Sequence, residues 1–109
     1  MVNSQRKGKD GELEWVHFLM AHGFDASRGR QYQGSPESPD VKSSVDRLVH
    51  WEVKRVEHLH IGKAMRKAVD DAGSNQIPVV AHRRNRDDWL VTLPADRFLF
   101  LLREVLSDG

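Results

Sequence analysis

The chain of 109 residues contains no cysteine. That absence excludes a disulfide framework and any zinc site built on thiolates, and it fits a reducing, cytoplasmic setting. No apolar run approaches the ~18 residues that a membrane span requires, so no membrane partner is expected. The opening MVNSQRKGKDGE lacks the apolar segment of a secretory signal. A strong charge of either sign is also missing, since 17 Lys and Arg stand against 16 Asp and Glu for a net +1. The basic residues are nonetheless clustered: Arg28 with Arg30, Lys54 with Arg55, Lys63 with Arg66 and Lys67, and Arg83 with Arg84 and Arg86. Local clusters of this kind allow a polyanionic partner without an overall basic chain. At this length a single domain, 1–109, is expected, with residues 1–8 polar and frayed.

Periodicity organises the rest. Between Asp10 and His22, Leu13, Val16, Leu19 and Met20 recur at helical spacing, with Trp15 and Phe18 widening the stripe and Gly23 as the stop. FDASRGR reads as a first strand and QYQGSPESP as a loop. Residues 40–46 and 48–56 read as two further strands with a turn at Asp46-Arg47. Ile61, Ala64, Met65, Ala68, Val69 and Ala72 mark a second amphipathic helix closed by Gly73. IPVVAH and WLVTL read as two strands joined by the polar turn RRNRDD. Pro94 then opens a third helix whose buried side is expected to carry Phe98, Leu99, Leu101, Leu102, Val105 and Leu106. The order is α-β-β-β-α-β-β-α, an α/β fold with a mixed sheet flanked by helices. Trp15, Trp51 and Trp89 lie within apolar patterns and are expected in the core.

The strand WEVKR poses a chemical question. Glu52 and Lys54 are two residues apart and so point to one face of the strand. Asp40 follows Ser-Pro at the start of the neighbouring strand, where its carboxylate and that of Glu52 can converge. Two close carboxylates resist ionising together. A divalent cation relieves the repulsion, and Mg²⁺ accepts a small number of oxygen ligands and completes its shell with water. Asp40 and Glu52 are the candidate ligands, with the Val53 carbonyl and Glu12 as further oxygens. Lys54 would hold or orient a water on the metal, and such a site suits phosphodiester hydrolysis. The alternative is a plain salt-bridge ladder on an edge strand. A zinc site built from the six histidines is not expected, because no pair has the i, i+4 spacing of a helical zinc motif; His60 and His82 would instead contact phosphate.

Pro39-Asp40 and Glu52-Val53-Lys54 together resemble the signature of the PD-(D/E)XK nuclease superfamily. KGKDGELEWVHFLMAHGF is similar to the opening helix of its archaeal-type and phage Holliday junction resolvases, in which a Gly stands four positions before a catalytic Glu and a Gly-Phe pair ends the helix. Gly8, Glu12 and Gly23-Phe24 match that pattern. IPVVAHRRNRDDWLVTL is similar to the latter half of phage-encoded members. The resemblance runs from residue 7 to about residue 102. It implies a restriction-endonuclease-like αβββαβ core, dependence on Mg²⁺ or Mn²⁺, a homodimer acting on branched DNA, and a place in the cytoplasm of a bacterial or archaeal host. Glu12, Asp40, Glu52 and Lys54 carry over as catalytic. Archaeal members also place a functional serine in the loop before the acid, where Ser35 and Ser38 stand here. The phosphate-binding residues would be Arg28, Arg30, Ser35, Arg55, Lys63, Arg66, Lys67, Arg83, Arg84 and Arg86. A nuclease for flapped, nicked or duplex DNA, an RNA nuclease, and a catalytically silent binding module are the competing readings.

Overall fold

Good helix formers set the first element. In the computed structural model, which describes residues 4–29 and 40–107, helix α1 runs Ser4–Ala21. It begins well before the Asp10 start expected from the apolar pattern. Of the polar segment expected to fray, residues 4–8 are therefore helical; Gln, Arg and Lys there favour a helix even without an apolar face. Gly23, at φ 90°, ends the helix. The Phe24 and Gly23 amides donate to the Leu19 and Met20 carbonyls at 3.0 Å each, closing the last turn as a left-handed cap does. The face that is buried comprises Gly11, Trp15, Val16 and Leu19, whereas Leu13 and Met20 are exposed. Trp15 stacks on Phe18 and meets the rings of Trp51 and Trp89 at 5.1 and 5.0 Å. The three tryptophans thus form part of the core, as their apolar surroundings implied.

Strands β1 (Ala26–Arg28) and β2 (Val41–Ser43) pair antiparallel as a two-stranded ladder. A second, mixed sheet has the order β3-β4-β5, from Val49–Arg55, Ile77–Arg83 and Leu90–Thr92. β3 and β4 run parallel and β5 returns antiparallel to β4. β2 is shorter than the 40–46 expected and β3 starts at 49 instead of 48, because the turn between them takes up residues 44–48. Trp51 Nε1 donates to Ser43 Oγ at 3.0 Å, so a side chain links the two ladders.

The register assigns faces. Glu52 lies opposite Val80, and Lys54 opposite His82, which puts all four on one side of the sheet. Helix α2 (Ile61–Asp71) covers that side, with Ala64 and Ala68 packed on Val80. Trp51, Val53 and Ala81 face the other way and pack with Trp15, Val16 and Leu19. Small residues one turn apart on α2 let its backbone approach the sheet closely.

Helix α3 (Ala95–Ser107) corrects one expectation. None of its residues is buried; Leu101 alone of its side chains joins the Val49–Ile77–Val79 cluster. Phe98, Leu99 and Leu102 are exposed, and Val105 and Leu106 reach 70% and 76% exposure. The five consecutive apolar residues Phe98–Leu102 encircle the helix at 100° per residue, so the chain's own core can cover only one side of them.

At Gly11 α1 lies tight against β3, since a Cβ built there would stand 3.0 Å from Arg55 Cβ. Gly8, one turn earlier, faces open space. Gly11→Val should therefore destabilise the fold by about 1–3 kcal/mol through overpacking. Gly8→Ala should stabilise it by about 0.5–1 kcal/mol through helix propensity. Chemical denaturation of both variants checks the pair; equal effects would contradict the close contact.

Candidate active site

β3 carries the central acid. Glu52 is only 3% exposed, and a carboxylate at such burial is costly unless a positive charge accompanies it. The partner is Lys67, whose ammonium stands 3.4 Å from Glu52 Oε1 as a hydrogen-bond donor. The same nitrogen is 3.2 Å from Oε2, yet that oxygen is buried and receives no hydrogen bond. The ammonium thus approaches Oε2 as a charge, outside hydrogen-bond geometry. The same ammonium donates to Asp71 Oδ2 at 2.9 Å. Burial disfavours the Lys67 ammonium, but the bond to Asp71 and the charge of Glu52 outweigh it and raise its pKa above the ordinary lysine value.

Glu12 and Asp40 form a second acidic pair. The Asp40 charge bears directly on Glu12, and Arg28 Nε donates to Glu12 Oε1 at 3.1 Å. Desolvation, then the Asp40 charge, push the Glu12 pKa above 4.5, and Arg28 offsets this only in part. In the structure Asp40 adjoins Glu12, while Glu52 adjoins Lys67. Among the described residues no three His, Asp or Glu side chains stand close enough to hold one metal ion.

Lys54 makes no hydrogen bond or ion pair among the described residues. It lines a hollow of about 250 Å³ at the N-terminal end of α2, whose walls include Val56, Leu59 and Ala64 and whose basic members are His58, His60, Lys63 and Lys67. Five side chains that carry or can carry positive charge thus face one concave surface beside Glu52. On the same side of the sheet, His82 Nε2 bonds Thr92 Oγ1 at 2.9 Å, and burial lowers its pKa, so His82 favours the neutral ring.

The remaining basic residues divide into two groups. Arg55 and Arg83 lie opposite each other on β3 and β4, where like charges repel. Glu14 neutralises both, at 2.9 Å from Arg55 Nε and 3.1 Å from Arg83 Nη2. Arg83 also lies over the Trp89 ring. These two guanidiniums, with Arg28, fasten α1 to the strands. Arg84 pairs with exposed Asp87 at 2.8 Å, and Arg86 sits in the turn at φ 63°. Lys63 and Arg66 are exposed on α2. Arg30, Ser35 and Ser38 lie outside the described residues. Sequence reasoning missed Glu14, Asp71 and Gly11 as participants. The i, i+4 spacing of Lys67 and Asp71 was the available signal for one of them.

The fold is similar to the 1.6 Å structure of Hjc from Archaeoglobus fulgidus, a Holliday junction resolvase from an archaeal hyperthermophile. The TM-score is 0.54 and the identity 22%, over 79% of this chain and 76% of that one. The chain shares the restriction-endonuclease-like α/β fold. No protein-family model matches the sequence, and no curated protein matches it. No helix among the described residues is long and apolar enough to cross a membrane.

The raised Glu12 pKa has a sign. The folded state holds the proton to higher pH than the unfolded chain, so its stability falls as pH rises through the window above 4.5. Glu12→Gln removes that titration. Between about pH 4 and about pH 7, metal-free wild type should lose melting temperature relative to Glu12→Gln. A difference that moves the other way would contradict the assignment of Glu12 as a desolvated carboxyl.

Proposed function

We propose that this protein is a metal-dependent DNA endonuclease, a Holliday junction resolvase of phage or prophage type. One observation carries the reading: a nearly buried Glu52 with an oxygen that lacks a hydrogen bond, on the same strand face as Lys54 and beside a basic hollow. A carboxylate kept in such surroundings costs stability, and a site that binds a cation offsets that cost. Similarity of fold to a Holliday junction resolvase supports the same reading.

The donor set fits a hard cation, since Mg²⁺ takes one or two carboxylates and keeps several waters. Asp40 and Glu52 would hold Mg²⁺ or Mn²⁺ with the Val53 carbonyl, and Glu12 would reach the ion through a water, since no three acidic or histidine side chains gather among the described residues. Bound there, the ion would supply a water of lowered pKa and stabilise charge on phosphate oxygens. Lys54 brings a positive charge to the place where the transition state gathers negative charge. Lys63, His58 and His60, around the hollow, would receive a backbone phosphate and position the DNA without reading its sequence. Arg66, Arg84 and Arg86 are exposed and would extend this path. Arg28, Arg55 and Arg83 would reach DNA only from within their ion pairs to Glu12 and Glu14.

Cleavage of labelled four-way junction, flap, nicked duplex, plain duplex and RNA in Mg²⁺ or Mn²⁺ tests the reading. Junction should be cut in preference. Asp40→Asn, Glu52→Gln and Lys54→Met should each lower the rate by roughly 10²-fold or more while binding persists. A salt-bridge ladder instead predicts near-normal cutting with a stability loss of about 0.2–1 kcal/mol. No cutting of any substrate by the wild type would sink the enzyme reading and leave the silent binding module.

A junction needs two cuts and each chain offers one candidate site, so the working unit would be a two-fold dimer. The exposed apolar side of α3, with Leu90 and Val91 of β5, is the surface that a second copy would cover. A stable contact hides about 800 Å² per partner, much of it apolar at its centre. Light scattering should return twice the chain mass of 12.5 kDa. Leu102→Glu with Val105→Glu should return the monomer mass; a double variant that stays dimeric would move the interface elsewhere.

A further inference from the structure

Glu52 is neutralised from the side that faces α2. The Lys67 ammonium lies within 3.4 Å of both carboxylate oxygens and 2.9 Å from Asp71 Oδ2. The three side chains differ sharply in exposure: 4% for Glu52, 52% for Lys67 and 45% for Asp71. Lys67 therefore reaches inward from a half-solvated position on α2, with one partner buried and the other at the surface. A buried carboxylate cannot wait uncompensated for a metal ion, because an unpaired charge at that depth is strongly destabilising. The ammonium and a divalent cation would also claim the same oxygens. Glu52 Oε2 has charge nearby but no hydrogen bond, so the ammonium satisfies the carboxylate incompletely.

We propose that Lys67 is the resident counter-ion of Glu52, which a divalent cation must displace, and that Asp71 is the acceptor that takes up the displaced ammonium. This inference rests on the reading of Glu52 as a metal ligand. In its terms Lys67 is a positioning residue: it neutralises the carboxylate and holds it in place, and it lowers apparent metal affinity by the fraction of molecules in which it occupies the site. Asp71 works in the opposite sense. It holds the ammonium one helical turn along, at i+4, and so makes room for the metal.

The test is calorimetric titration of Mn²⁺ into the DNA-free protein, which reads binding without catalysis. Lys67→Met should tighten Mn²⁺ binding by roughly threefold to tenfold. Lys63→Met, one turn earlier on the same helix, measures the general effect of removing a positive charge near the site and should change affinity less. Asp71→Asn should weaken binding more than Asp70→Asn does. The decisive reading is the double variant. Once Lys67 is absent, Asp71→Asn should change affinity no more than Asp70→Asn, a non-additivity that a shared contact produces and a diffuse field does not. Thermal melting adds an independent sign: Lys67→Met should lower the metal-free melting temperature, and saturating Mn²⁺ should restore more of it than in wild type. Equal effects of Lys67→Met and Lys63→Met, or additive effects of Lys67→Met and Asp71→Asn, would overturn the proposal. Glu52→Gln separates it from its premise. If that variant binds Mn²⁺ as tightly as wild type, the metal reading of Glu52 fails; if it binds weakly and the Lys67 and Asp71 effects add, only the counter-ion inference fails.

Discussion

A carboxylate placed on the inner face of a strand, under a helix, dictates much of what surrounds it. Glu52 needs positive charge close by, and Lys67 supplies it from α2. That contact requires α2 to lie close on the sheet, which in turn requires Ala64 and Ala68 where larger residues would hold it away. The parallel pairing of β3 and β4 sets Val80 beside Glu52 as the floor for the helix. On physical grounds alone the arrangement is expensive, since an apolar residue at position 52 would pack without a counter-charge. Its presence is intelligible if the charge has a use, and a cation site beside Lys54 and a basic hollow is a use that matches the residues present.

The other side of the sheet shows charge serving a different end. Arg55 and Arg83 would repel across the strand pair, and Glu14 draws both to α1. Exposed ion pairs contribute little. These guanidiniums are only about a quarter exposed, however, and they close over the tryptophan cluster, where Trp89 lies beneath Arg83. α1 is thereby fixed against the strands, and Glu12, two residues before Glu14, is held in the same stretch of helix beside Arg28 and Asp40. The acidic pair and the central acid are thus presented by elements locked to one another through side-chain charge as well as through the core.

The sequence disclosed the element order and types because periodicity changes cleanly between them: 3.6 in α1 and α2, two in β3, and a short apolar run in β4. Gly23 and the turn before Trp89 punctuated it correctly. Other features were hidden for physical reasons. The polar start of α1 has no apolar stripe, so its helicity rests on propensity alone. The burial of α3 could not be judged from composition, since an apolar ring around a helix says nothing about which parts the chain's own core reaches. Glu52 and Lys54 were legible as a same-face pair because strand alternation is local. The partners of Glu52 and Asp40 were not, because Lys67 and Glu12 come from helices whose approach depends on packing. The arginines illustrate the same limit. Clustering in sequence marked Arg55 and Arg83 as surface for a polyanion, while tertiary contact turned them toward Glu14.

A cation site at the buried acid on β3 is open to direct observation. The most direct measurement is anomalous scattering from crystals grown with Mn²⁺. A peak is expected at metal–oxygen bonding distance from carboxylate oxygens of Glu52 and Asp40, with the Lys67 ammonium drawn away toward Asp71. A Mn²⁺ ion bound elsewhere, with Lys67 still seated on Glu52, would contradict that expectation.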